Sequence, residues 1–274
     1  MKEQLTRLCD LIRVDLITMQ GGKGSTRTAA IALILLMIGG GFCISPLAGL
    51  YVPFLLGAFF VPTLFQNEIK YHSEKLWALL PIERNDLVRS RFVLFFVIYT
   101  TSGLAVYLLM VLALKLRLWM VLFTDAEGGA MIDIVGLMAE KTGFSELGYF
   151  NVCYFGAFAF GMGIAASALR NYFRDPQKFN FNISTGMYLQ KTGKKDLIYF
   201  GIIMCILLSW VLIVTGILPL DALTPALLVI VELLMQLANA ADGFLLGAVF
   251  LTMAGFHSLY AYISTLIEYD QREL

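Results

Sequence analysis

Six stretches of the chain, at about 29–45, 47–65, 92–114, 149–169, 197–218 and 243–267, are apolar over lengths that cross, or nearly cross, a lipid bilayer as helices. A hydrocarbon core of about 30 Å takes about 20 helical residues at about 1.5 Å rise each. Inside lipid a segment has to satisfy its own backbone N–H and C=O groups, so each run is expected to be helical. The rest of the composition agrees: 59% of the 274 residues are hydrophobic and 15% charged, against about 25% charged in soluble domains. The expected fold class is therefore all-α, a polytopic membrane protein with six transmembrane helices. Pro46, Pro53 and Pro62 punctuate the first pair of runs, which predicts a tight turn and then a kinked second helix.

Lys and Arg in the connections set the orientation, because basic residues are enriched on the cytoplasmic side. Five lie in the N-terminal arm, five in the 66–91 loop, six in the 170–196 loop and one, Arg272, in the tail, seventeen of the twenty in all. The opposite side holds only Lys115, Arg117 and Lys141, among several carboxylates. Both termini are thus expected in the cytoplasm, which needs an even number of crossings. That parity bears on 222–241, an apolar stretch that would make a seventh crossing and place Glu232 near the bilayer centre, where a carboxylate costs about 2.5–3.5 kcal/mol. A re-entrant or outer helix before the last span is preferred.

The N-terminus carries Leu5, Leu8, Leu11, Ile12, Leu16 and Met19 at spacings of three or four, with Lys2, Arg7, Arg13 and Asp15 between them. This is an amphipathic helix, lying on the membrane surface or packed on other protein. Its interspersed charges do not form a secretory leader, so no removed signal peptide is expected. Gly21-Gly22-Lys23-Gly24-Ser25-Thr26 departs from the phosphate-binding G-x-x-x-x-G-K-[ST] pattern and reads as a hinge.

Little in the chain promises catalysis. Cys9, Cys43, Cys153 and Cys205 are each isolated, and His72 and His257 share no segment, so no metal-ligand spacing exists. Ser102-Gly103 and His257 could be imagined as an intramembrane hydrolase, but small and lone polar residues within spans are more often packing. Apart from Glu232, and Asp242 at an edge, the spans lack the mid-membrane carboxylates of an ion-coupled carrier. No ring of charge or filter-like loop points to a channel.

The informative stretch is the 66–91 connection. Ile69, Leu76, Trp77, Leu79 and Leu80 make a short amphipathic helix that Pro81 terminates. A second helix is expected to start near Asn85, which can cap it. The resulting charged elbow is either a solvated loop or a docking surface for a partner.

Glu68, then Lys75 and Trp77, then Leu80-Pro81-Ile82 with Arg84, Leu87 and Arg91, resembles a loop pattern of the ABC-2 type permeases, the membrane subunits of many ABC exporters. The resemblance covers about twenty-five residues, and the six-span layout, the N-terminal helix and the apolar segment before the last span are similar too. Arg91 stands where that family often has Lys. The resemblance implies one membrane domain over 1–274. Its parts are an interfacial helix at 1–24, two spans in 29–65, a coupling-helix loop at 66–90 and a third span at 91–116. An extracytoplasmic loop at 117–147, a fourth span at 148–169, a cytoplasmic loop at 170–196, a fifth span at 197–218, the re-entrant segment at 222–241 and a sixth span at 243–267 follow.

It also implies that ATP and magnesium belong to a separate ATPase, two copies of which join a homodimer of this chain in a bacterial cell membrane. Coupling would run through Glu68, Glu74, Lys75, Leu76, Trp77, Leu80, Pro81, Glu83 and Arg84. The second and fifth spans offer Phe54, Phe59, Phe60, Phe65, Ile202, Met204, Leu207 and Trp210 as adaptable apolar surface for a hydrophobic or amphipathic cargo. Among family members the chain is similar to exporters of amphipathic helical peptides such as phenol-soluble modulins, or of antimicrobial peptides. Drug or lipid export, and a non-transporting scaffold that recruits a cytoplasmic partner, are the alternatives.

Overall fold

The computed structural model describes residues 6–7, 9–15, 25–57, 83–117, 134–174, 236 and 239–270, all of it helix and short connections. Helix α1 covers 9–15, α2 is Ser25–Cys43, and α3 runs Pro46–Gly57, its first turn wound as 3-10 helix. Helix α4 is Arg84–Leu116, α5 Ile134–Thr142, α6 Glu146–Arg174, and α7 Phe244–Asp270, entered through a 3-10 turn at Ala240–Gly243. Among the described residues, three helices are long and apolar enough to cross a membrane: Arg84–Leu116, Glu146–Arg174 and Ala240–Tyr269.

These helices are apolar on every side, which marks a helix surrounded by lipid as well as by protein. On α4, Phe92, Phe95, Tyr99, Val106, Met110 and Ala113 are buried at spacings of three, four and seven. The opposite stripe, Val93, Val97, Leu104, Leu108, Leu112 and Leu116, is exposed and no less apolar. With α7 exposing Val249, Met253, Phe256, Ile263 and Ile267 in the same way, the bundle is sheathed in aliphatic and aromatic side chains of the kind that face a membrane.

Between α2 and α3 the chain reverses in two residues. Ile44 and Ser45 donate their N–H groups back to Gly40 O, and the Ser45 hydroxyl accepts from Leu47 N at 3.3 Å. Pro46 then occupies the first helical position, where its missing N–H leaves nothing unsatisfied. At the other end of the chain, α6 and α7 lie parallel. Gly148 touches the turn before α7, while Arg170 pairs with Glu268 and Phe173 stacks edge-on against Tyr269 at the far ends. Helix α4 runs antiparallel to both, its start near Tyr172 and Phe173 and its end near Glu146.

Lipid gives helices no hydrophobic reason to associate, so close packing and interhelical hydrogen bonds have to hold them. Both are present. Glycine lets backbones meet: a methyl group at Gly57 would strike the Gly161 carbonyl, and one at Gly161 would strike Pro53 O and the Tyr99 hydroxyl. Met110 fills a notch between Gly41 and Gly49, and the Phe158 ring lies on Gly103. Tyrosines supply the polar ties. The Tyr99 hydroxyl shares its proton between Pro53 O and Phe158 O, each at 3.0 Å, while Tyr154 donates to Gly103 O at 2.6 Å.

Two features differ from the sequence expectations. The helix expected to start near Asn85 begins at Arg84, but its N-cap is Glu83 rather than Asn85, and it runs unbroken into the third apolar stretch, because no proline interrupts it. Residues 134–142, within the 117–147 connection, form the helix α5. Its end turns on Gly143 at φ +71°, and Ser145 then caps α6 by accepting from Gly148 N at 2.9 Å.

Candidate functional site

The described charges fall mainly at the two ends of the bundle. One end carries Arg117, Glu146, Ser145 and Asp242. Arg117 reaches both Glu146 carboxylate oxygens at 2.7 and 3.0 Å, an exposed bridge across α4 and α6. The turn before α7 places Ala241, Asp242 and Gly243 at φ of 51°, 51° and 80°, three successive residues in the left-handed region that only glycine enters without strain. Hydrogen bonds hold it there: Ser145 Oγ donates to Asp242 Oδ1 at 2.9 Å and Asn151 Nδ2 to the Asp242 carbonyl at 2.8 Å. Asn151 Oδ1 in turn accepts from Tyr107 of α4 at 2.9 Å, so the strained turn is tied to α4 as well as α6.

The other end gathers α1 and the start of α4 with the ends of α6 and α7. Its centre is Arg91. Only 1% exposed, Arg91 lies with Nε 3.7 Å from Asp15 Oδ2, a carboxylate itself 4% exposed, and its guanidinium sits 5.7 and 5.5 Å from the ring centres of Tyr172 and Phe173. A guanidinium cannot lose its charge in a protein, so burial demands this combination of counter-ion and aromatic faces. Leu11, buried one turn before Asp15, completes the seam of α1, which thus packs on protein along this face while Arg13 and Val14 stay exposed. Nearby, Asp86 is buried in the first turn of α4, where the helix dipole favours an anion, with Arg89 at 3.5 Å.

Of the residues expected to couple to a partner, Glu83 is the exposed N-cap of α4 and Arg84 its half-buried first residue. Glu68, Glu74, Lys75, Leu76, Trp77, Leu80 and Pro81 lie outside the described residues. Of the expected cargo surface, Phe54 is half-buried on α3 against Phe160 of α6, ring centres 5.4 Å apart. Phe59, Phe60, Phe65, Ile202, Met204, Leu207 and Trp210 lie outside the described residues, as does the 222–235 part of the segment before the last span. The imagined Ser102 and His257 pair does not form: the Ser102 hydroxyl bonds back to Ile98 O, and His257 Nε2 instead meets Ser167 Oγ at 2.9 Å across the α6–α7 seam. That contact clips the two parallel helices at the middle of α7 and the last third of α6, as Arg170 and Glu268 clip them further on.

Sequence reasoning missed Asp15, Ser167 and the role of Arg91. A signal existed for two of them. Asp15 continues the 8, 12, 19 stripe of the N-terminal helix, and Arg91 continues the 88, 95 stripe of α4, so each is a charge on an apolar face. Among the described residues, no cluster of His, Cys, Asp or Glu could hold a metal ion, and Cys9, Cys43 and Cys153 are free thiols.

An all-α bundle with an apolar outer sheath, helices long enough to span and its described charges mostly at its ends defines a polytopic membrane protein. Residues 10–217 match the family described as ABC-2 family transporter protein. The chain belongs to that family and is a membrane permease of an ABC transporter. No curated protein and no solved structure matches it.

Proposed function

We propose that two copies of this chain form the membrane pathway of an ATP-driven exporter, and that each copy docks one separate ABC ATPase through the 68–84 elbow. The family match, which includes the elbow, is the observation that carries this reading. The continuity of α4 from Arg84 supports it, because a helix that starts at the elbow's last residue and runs unbroken into the membrane can hand on movement that reaches Arg84. Only contacts that differ between the open and closed ATPase shift the membrane conformation. Leu76, Trp77, Leu80 and Pro81 would be the buried contacts, with Glu68, Glu74, Lys75, Glu83 and Arg84 around them.

The Arg91 end faces the cytoplasm in this proposal. The concentration of basic residues in the arm, the elbow, the 170–196 loop and the tail supports that orientation. Because α6 and α7 run parallel, the chain between Arg174 and Ala240 makes a net return across the membrane; this supports one full crossing there, by 197–218, with 222–241 kept to the outer side. The cargo is a hydrophobic or amphipathic molecule, with amphipathic helical peptides as the leading class and the bacterial cell membrane as the setting.

The test is the double variant Trp77→Asp plus Arg84→Glu, assayed for ATPase co-purification and for ATP-driven uptake of a fluorescent amphipathic helical peptide into inverted vesicles. Both are expected to be lost. Association and uptake that survive the two substitutions would refute the docking site, and hydrolysis indifferent to peptide would refute peptide cargo.

A further inference from the structure

We infer that Arg91 is the positioning residue that carries movement of the elbow into the rest of the bundle, with Asp15 as its latch on α1. The inference rests on the ATP-driven reading above and names the groups through which the coupling passes. Arg91 lies seven residues into α4, two turns and about 10 Å from the elbow's exit at Arg84, and the helix between them is unbroken. A displacement at Arg84 therefore reaches Arg91 through one continuous helix.

What Arg91 touches decides where the displacement goes. Asp15 belongs to α1, and Tyr172 and Phe173 belong to the last turn of α6. Phe173 continues edge-on to Tyr269 of α7, and the neighbouring Phe92 reaches Tyr262 of α7 at 5.3 Å. Four helices thus converge within two contacts of one guanidinium. A permanently charged group buried this deeply cannot trade its counter-ion for hydrocarbon, so when α4 shifts, α1 and the end of α6 follow it. An apolar side chain in the same place would slide. Arginine suits the position because its flat head lies against two aromatic rings while still presenting N–H groups to a carboxylate.

The experiment uses the complex of this chain with its ATPase in inverted vesicles, reading ATP hydrolysed, fluorescent amphipathic peptide taken up, and the melting temperature. Four proteins are compared: wild type, Asp15→Asn, Arg91→Asp, and the exchanged pair Asp15→Arg with Arg91→Asp. Each single variant is expected to keep the ATPase bound and to lower the peptide moved per ATP about tenfold, the equivalent of about 1.4 kcal/mol of coupling. The exchanged pair restores opposite charges between α1 and α4 but not the ring contacts, so it is expected to recover about threefold of the tenfold loss.

Asp15→Asn keeps size and shape, so it carries the test if Arg91→Asp does not fold. Single variants with an unchanged peptide-per-ATP ratio, whether or not their melting temperature falls, overturn the inference, since a merely structural pair would lower stability alone. An exchanged pair no better than the worse single variant overturns it too. A wild-type complex without ATP-driven uptake fails at the earlier step and sinks the functional reading, and with it the inference.

Discussion

Gly161 sits where two helix backbones meet with no room for a side chain, and replacing it with alanine measures how much of the fold depends on that contact. An added Cβ there would strike the Pro53 carbonyl and the Tyr99 hydroxyl. The first is main chain and cannot rotate away, so the overpacking cost lies near the upper end of its usual range, about 3 kcal/mol. Displacing the Tyr99 hydroxyl from Pro53 O or Phe158 O adds about 1 kcal/mol for a lost buried hydrogen bond. The better helix propensity of alanine returns about 1 kcal/mol, leaving a net loss of about 3 kcal/mol, roughly a hundredfold in the folded-to-unfolded ratio. The control is two residues away. At Gly163 an added Cβ would meet only His257 Cδ2 at 3.6 Å, an ordinary contact, so Gly163→Ala should be neutral or stabilising by up to about 1 kcal/mol. Both are read by unfolding in mixed detergent and dodecyl sulfate micelles. Equal midpoints for the two variants would mean that α3, α4 and α6 do not meet as closely as described.

Two further outcomes follow from the same packing. Ala241→Gly should raise stability by about 0.5–1 kcal/mol in that assay, because the left-handed backbone costs alanine about 1–2 kcal/mol and glycine returns part of this as chain entropy; a loss would show that Ala241 is not held at φ 51°. Tyr99→Phe keeps the ring that packs on Phe95 and Phe158 but removes the hydroxyl shared by two helix carbonyls, with an expected loss of about 1 kcal/mol. An unchanged midpoint would show that the hydroxyl does not tie α3 to α6.

The class of fold was readable from the sequence because lipid turns helix formation into a matter of length. Runs such as 149–169 and 243–267 had to be helices, and Glu146–Arg174 and Phe244–Asp270 are. What periodicity could not supply is partnership. Ser167 and His257 are ninety residues apart and meet only because α6 and α7 run parallel in one register. Gly57 and Gly161 look alike to any hydropathy measure, and alike also to Gly39, which has nothing within 4 Å to meet an added methyl. Asp15 and Arg91 were visible as charges on apolar faces, yet nothing in one sequence says that each answers the other. Asn85 misled only as to the cap: its type favours one, but without a proline beyond Pro81 nothing stops the helix from starting two residues earlier, with Glu83 in that place.

The distribution of contacts bears on how such a bundle can move. Helices α6 and α7 are clipped by hydrogen bonds at Ser145 and Asp242, at Ser167 and His257, and at Arg170 and Glu268. Helix α4 joins them through Tyr107, Tyr154 and Tyr99, and α3 through bare backbone at Gly57 and Gly161. Contacts of that kind do not stretch; a close-packed interface either holds or changes to a second packing. Whole helices are therefore the smallest parts that can shift here. At 33 residues, α4 is about 50 Å long against a hydrocarbon core of about 30 Å, so it extends beyond the bilayer, and its charged first turns, with Arg84, Asp86 and Arg89, are the end that does so. A force applied there acts on the full length of α4 at once, and the buried charge of Arg91 lies two turns along it.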